Sequence, residues 1–269
     1  MEEGTPAGRV KLKFPGKYLS LAISLVPAIV CAQITKADVE YVNKVFYPAT
    51  VLLYSQDEHG SMQMHCTATA IEKQADGYEF VTASHCACKD DTEHEIAKPQ
   101  AEYWFMTADE KDSKKFIAAK LKGCGYQRKG ADIALFDVKT ADVYPMVNIG
   151  HDPETMEPVI NVASPLGMGK QVFTGAVTSG MVDREIVAGD INWTKAVLVQ
   201  IPGTDGGSSG SAIVSLTQRA ICAFLVGTAN DTTMVAMPVS RMVKFRDELK
   251  AGTYKYWKDD TQPGKPSKR

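Results

Sequence analysis

Residues 196–216 read AVLVQIPGTDGGSSGSAIVSL: an apolar run at 196–202, a glycine- and serine-rich loop at 203–211, and a second apolar run at 212–216. Taken alone, a Gly/Ser run is a flexible linker. Linkers seldom separate two segments of strand composition, so this one is a loop inside a β domain. The same texture extends outward from about residue 39 to the mid-240s, as short Val-, Ile-, Thr- and aromatic-rich segments broken by Gly, Asp, Asn and Lys. Expected strands are 49–54, 66–72, 78–83, 103–107, 116–122 and 132–138, then 158–163, 172–182, 196–201, 212–216, 220–228 and 234–238. No amphipathic helical pattern of about 10–15 residues intervenes between them, which argues against alternating β and α units. Two groups of six strands predict an all-β fold of two small barrels, the first over 39–145 and the second over 146–250.

The linker between them falls around 139–157, where Pro145, Gly150 and Pro153 cluster. The clearest helix is 240–250 (SRMVKFRDELK), with Ser240 placed to cap it and Met242, Phe245 and Leu249 on one face to pack on the second barrel. Gly252 stops it, and 251–269 is expected to be a polar, loosely ordered tail.

The chain has 269 residues, 44% hydrophobic and 23% charged, with a formal net charge of -2. Nothing in that balance calls for nucleic acid or an anionic membrane as partner. Residues 1–32 form a separate segment. Arg9, Lys11, Lys13 and Lys17 precede the 13-residue uncharged apolar stretch at 19–31, and Ala32 offers a small residue for cleavage. The pattern is that of a signal peptide, and the stretch is short against the roughly 20 residues of a membrane-spanning helix. An uncleaved membrane anchor is the alternative. The expected location is therefore exported, periplasmic or secreted.

Five of the six cysteines follow residue 32, which fits one or two disulfides in an oxidising compartment. Cys66 and Cys86, flanking two adjacent strands, are the first candidate pair, and Cys88 and Cys124 the second. Cys222 lies in an apolar run and reads as a buried free thiol. The rival is a zinc site built from His65, Cys66, His85, Cys86 and Cys88, but the paired ligand spacing of structural zinc sites is missing.

A serine hydroxyl becomes a useful nucleophile only when a histidine takes its proton and a carboxylate orients that histidine. Ser209 has Gly207 two positions before it and Gly210 after it, the offsets a turn needs to aim the amides of Gly207 and Ser209 at one point as an oxyanion hole. Ser208 and Ser211 lack that setting. His85 closes the strand-like run EFVTASHC beside two small residues, whereas His59, His65, His94 and His151 lie among polar or turn residues. Asp132 opens ADIALFDV; Asp137, its competitor, falls on the opposite face of that strand.

TASHC around His85, DIAL from Asp132 and GSSGS around Ser209, in that order, resemble the trypsin-like clan of chymotrypsin-like serine peptidases. VINVASPLGMG at 159–169, VFTGAVTSG at 172–180 and AMPV at 236–239 are similar to HtrA/Deg-type and related bacterial trypsin-like peptidase domains. The resemblance implies two six-stranded antiparallel barrels with a triad of His85, Asp132 and Ser209 in the cleft between them. It further implies endopeptidase activity on protein or peptide substrates without a cofactor or metal. Two positions depart from the pattern. Ser211 replaces a glycine and is expected to put a side chain near the substrate's path, and neutral Ser208 replaces the aspartate of zymogen-type relatives. By the same analogy Gly203 lies at the base of the substrate side-chain pocket. The alternative function is an inactive trypsin-like fold that serves as a binding or structural module.

Overall fold

The computed structural model describes residues 34–57, 59–108, 115–188, 191–230 and 232–257, with the backbone alone over 182–188 and 191–194. The segment 1–32 expected to be a signal peptide or anchor lies outside the described residues. Twelve strands close into two antiparallel barrels. The first contains β1 (Thr50–Gln56), β2 (Met62–Gln74), β3 (Gly77–Thr82), β6 (Trp104–Thr107), β7 (Ile117–Cys124) and β8 (Ala134–Lys139), hydrogen-bonded in the order β1-β2-β3-β8-β7-β6. The second contains β9 (Pro158–Ala163), β10 (Gln171–Ala188), β11 (Ile191–Gln200), β12 (Ala212–Ser215), β13 (Ala220–Asn230) and β14 (Thr233–Pro238), in the order β9-β10-β11-β14-β13-β12. This is the chymotrypsin-like architecture, with a C-terminal helix. β8 illustrates how sequence fixes each wall. Leu135 and Phe136 are fully buried, Phe136 packing edge-on to Trp104 at 5.7 Å, while Asp137 turns outward to Gln74 (2.7 Å) and Lys122 (3.4 Å).

Four features depart from the expected layout. Residues 36–49 are helical: α1 (Lys36–Tyr41), a π-helical turn at Val42–Phe46 and α2 (Tyr47–Ala49). A capping box starts α1, because the Thr35 hydroxyl accepts the Asp38 N–H while the Asp38 carboxylate accepts the Thr35 N–H. A small two-stranded sheet, β4 (Cys88–Asp91) with β5 (Ile96–Pro99), is inserted between β3 and β6 after the short helix α3 (Ser84–Ala87).

The C-terminal helix α4 (Val239–Lys250) is not capped by Ser240, whose N–H and hydroxyl both donate to Asp152, at 2.8 and 2.6 Å. Nor does α4 pack on the second barrel alone. Leu249 lies over Gly123 of β7, and Arg246 and Lys250 reach Glu79 of β3 (3.9 Å) and Glu72 of β2 (2.7 Å). Charge pairs and apolar contact draw the helix onto the first barrel. Gly252 (φ +67°) ends it in a left-handed turn that sends the Thr253 N–H back to the Glu248 carbonyl. Residues 253–257, expected to be loose, are docked. The Ala97 N–H of β5 donates to the Tyr256 carbonyl, the Tyr126 N–H donates to the Tyr254 hydroxyl, and Tyr256 stacks on Tyr126. No helix among the described residues is long and apolar enough to cross a membrane.

Candidate active site

β3 runs through Thr82 and the extended Ala83 directly into α3, so His85 leaves the barrel wall at a defined point. Three kinds of restraint hold that turn. The buried Ser84 hydroxyl donates to the Gly125 carbonyl at 2.6 Å, and Gln100 Nε2 donates to the carbonyls of His85 and Cys88, each at 2.8 Å. Disulfides then tie Cys86 to Cys66 on β2 and Cys88 to Cys124 on β7. Cys222 remains a buried thiol, and burial pushes its pKa far above the ordinary thiol value. Cys66, His85 and Cys86 converge as a metal site would require, yet the two sulfurs are bonded to each other and neither offers a thiolate.

Asp132 stands just ahead of β8 and is fully buried. Its Oδ1 accepts the His85 backbone N–H at 2.9 Å and its Oδ2 lies 2.8 Å from His85 Nδ1. A carboxylate at Nδ1 places the ring proton there and leaves Nε2 as an acceptor. Enclosure of the ring works against its charge. The field of Asp132 and the hydrogen bond to it outweigh that effect and lift His85 above the ordinary imidazole range. Asp137 takes no part, being engaged by Gln74 and Lys122 on the outer face. Of the other histidines, His65 differs from expectation: it is half-buried on β2, 2.6 Å from the Ser55 hydroxyl and against Trp104, and burial lowers its pKa.

The loop between β11 and β12 is shaped by backbone instead of side chains. Gly207 (φ +91°) and Gly210 (φ +79°) occupy the left-handed region. A Cβ on Gly207 would come within 2.6 Å of the Ser164 carbonyl oxygen, and one on Gly210 within 2.0 Å of the Thr82 hydroxyl. In the resulting turn the Gly206 N–H donates to Asp205 Oδ1, that of Ser208 to the Asp205 carbonyl, that of Gly210 to Leu225 and that of Ser211 to Ser208. From Asp205 to Ser211, among the described hydrogen bonds, the Gly207 and Ser209 amides alone have no acceptor. They are the pair that the motif's spacing picks out for an oxyanion.

Ser209 is half-buried and lines, with His85, a cavity of about 320 Å³ whose walls include Thr204, Leu225, Val226 and Met234. Among the described hydrogen bonds none joins the Ser209 hydroxyl to the imidazole; the two meet as neighbours across this space. Catalytic contacts of this kind often tighten only when substrate is bound.

Ser211 departs from expectation, and Gly203 is not among the residues that line the Ser209 cavity. Ser211 does not stand in the substrate's path: it is fully buried, and its hydroxyl accepts a 2.7 Å hydrogen bond from Asn161 Nδ2. Gly203 lies exposed at φ +90° beside Phe173, while Thr204 and Asp205 take the lining positions. One residue was missed. Thr67 of β2 donates its N–H to the Ser209 carbonyl (3.0 Å) and its hydroxyl to the Gly207 carbonyl (2.9 Å), and that hydroxyl also accepts the Ser164 N–H (3.2 Å). Gly207 lies 140 residues away in the chain and Ser209 farther still, so no local pattern marks it.

The trypsin-like peptidase domain family matches the chain over residues 66–222, a span that contains His85, Asp132 and Ser209. No curated protein matches it in sequence. Among solved structures the chain is similar to the active form of the Rv3671c protease from M. tuberculosis, with 14% identity and a TM-score of 0.57. The likeness covers 78% of this chain and 83% of that one, and at this identity it bears on the fold.

Proposed function

Because the chain belongs to the trypsin-like peptidase domain family, we propose that it is an exported serine endopeptidase acting through His85, Asp132 and Ser209. The observation that carries this reading is the buried Asp132, which grips both the backbone and the ring of His85 beside the cavity that His85 shares with Ser209. Ser209 Oγ attacks the carbonyl carbon of the scissile bond as its proton passes to His85 Nε2. The amides of Gly207 and Ser209 receive the negative oxygen; one such donor is worth about 2.7–4 kcal/mol of barrier. As the tetrahedral adduct collapses, His85 returns the proton to the leaving amine, and an ester to Ser209 remains. Water attacks that ester with His85 again as base, which releases the carboxylic acid product and restores the hydroxyl.

Thr204, Leu225, Val226 and Met234 suit a neutral, apolar side chain beside the scissile bond, with Asp205 exposed at the rim. The two disulfides support an oxidising destination. The rival, a non-catalytic module, draws on Ser211 or a collapsed loop spoiling the oxyanion hole; the inward turn of Ser211 to Asn161 speaks against the first, and the left-handed Gly207 and Gly210 speak against the second. The test is labelling of the purified chain with a fluorophosphonate probe. Labelling that disappears in Ser209→Ala is expected; labelling that is absent from the native chain, or survives the substitution, overturns the proposal.

A further inference from the structure

Away from His85 and Ser209, a cavity of about 580 Å³ opens between α4, the turn at Gln127–Lys129 and the β10–β11 hairpin. Among the described residues, Lys129, Lys195, Arg241, Lys244 and Lys255 line it against one carboxylate, Glu248, in a chain whose formal net charge is -2. Local compensation is partial, and the field of Asp152 acts on Arg241. Lys129 reaches Glu95 only at 3.8 Å and Lys244 reaches Glu248 only at 3.9 Å, contacts of little strength at exposed positions. Lys255 rests on the Tyr256 ring. Arg241 is half-buried, and its Nη1 donates to a backbone carbonyl, that of Gly130, at 2.5 Å. A carbonyl orients the guanidinium without neutralising it, and partial burial strengthens its pull on an anion.

Position gives this cavity its meaning. The cavity that holds Ser209 shares His85 with a second one, of about 430 Å³, whose lining includes Gln127 and Arg128; Lys129, the next residue in the chain, lines the basic cavity. A polypeptide lying in the cleft can therefore continue past His85 and the Gln127–Lys129 turn into the basic cavity. We propose that this cavity is an exosite for an acidic polypeptide segment of the substrate, which holds the substrate while its scissile bond reaches Ser209. Charge complementarity selects the segment, and proximity to the cleft through the Gln127–Lys129 turn favours a polypeptide over any other polyanion. The polypeptide assignment rests on the peptidase reading above; the anion site itself does not.

The experiment uses the full chain carrying Ser209→Ala, so that nothing is cleaved, and follows fluorescein-labelled octaglutamate by fluorescence anisotropy. Expected is saturable binding at low ionic strength that weakens as salt is raised. Reversing Lys195→Glu together with Lys244→Glu should weaken it about tenfold or more. The comparison variant, Lys36→Glu with Lys120→Glu, makes the same change in net charge at exposed positions outside the cavity and should bind as the parent does. Absence of binding, or equal loss in the two double variants, overturns the exosite. So does capture of a sulfated oligosaccharide with no capture of octaglutamate, which would assign the cavity to a different polyanion. Fluorophosphonate labelling of the native chain is read separately, so a failed peptidase and a failed exosite give different results.

Discussion

In the first barrel, His85 and Asp132 are fixed by side chains and sulfur: two disulfides bracket the histidine turn, Ser84 and Gln100 clamp its backbone, and a buried carboxylate grips it twice. In the second barrel, no disulfide and no carboxylate grips Ser209 itself among the described residues. Its loop takes shape from two left-handed glycines and from Thr67, which reaches across from the first barrel to the carbonyls on either side of Ser208. The proton-handling half is thus self-contained, whereas the nucleophile half depends on its neighbour for register. A change in the first kind of restraint alters charge and tautomer; a change in the second alters position.

The largest effect should come from charge. Asp132→Asn keeps the shape but removes the carboxylate that fixes the His85 tautomer, and kcat should fall about 10⁴-fold. A drop of less than about 10-fold would place the orienting group elsewhere. Next comes Gly207→Ala, which forces a Cβ toward the Ser164 oxygen and turns one oxyanion donor away; the expected loss is about 10²–10³-fold in kcat with the fold intact by circular dichroism. The smallest is Thr67→Val, in which the hydroxyl bonds to Gly207 and Ser164 vanish at nearly constant volume. Loss of about 1–2 kcal/mol of positioning corresponds to a kcat lowered about 5- to 30-fold, restored by Thr67→Ser. If Thr67→Val changes melting temperature but not kcat, the cross-barrel contact supports the fold and not the loop.

Which of these features are legible in the chain follows the same division. Short Val-, Ile-, Thr- and aromatic-rich runs bounded by turn residues carry both barrels, since both signals are local, and β1, β3 and β12 are buried almost throughout. TASHC, ADIAL and GSSGS carry His85, Asp132 and Ser209 because each sits where a strand ends or begins, and Cys66 and Cys86 could be paired from the strands they flank. Contacts distant in sequence were not readable. Thr67 has no motif, the inward turn of Ser211 depends on Asn161, 50 residues off, and the loop before Gly207 has no periodicity from which its lining residues could be read. The helix at 36–49 was signalled by Thr35 and Asp38 but masked by the β-branched residues that follow. β4 and β5 lie between cysteines, in a charged stretch with no alternation, and what fixes them is distant in sequence: Cys88–Cys124, Asp90 with the amides of Gln127 and Arg128, and Ala97 with Tyr256.

The central claim is that His85, carrying the influence of Asp132, is the base for Ser209, and the pH dependence of fluorophosphonate labelling measures it directly. The base must be neutral to act. Because Asp132 raises the His85 pKa, labelling of the native chain should fall on the acid side with a midpoint above the ordinary imidazole value of about 6.5. In Asp132→Asn the enclosure of the ring remains and the carboxylate is gone, so the residual labelling should have its midpoint moved to lower pH. A native midpoint at or below the ordinary value, or one that does not move in Asp132→Asn, would contradict the assignment.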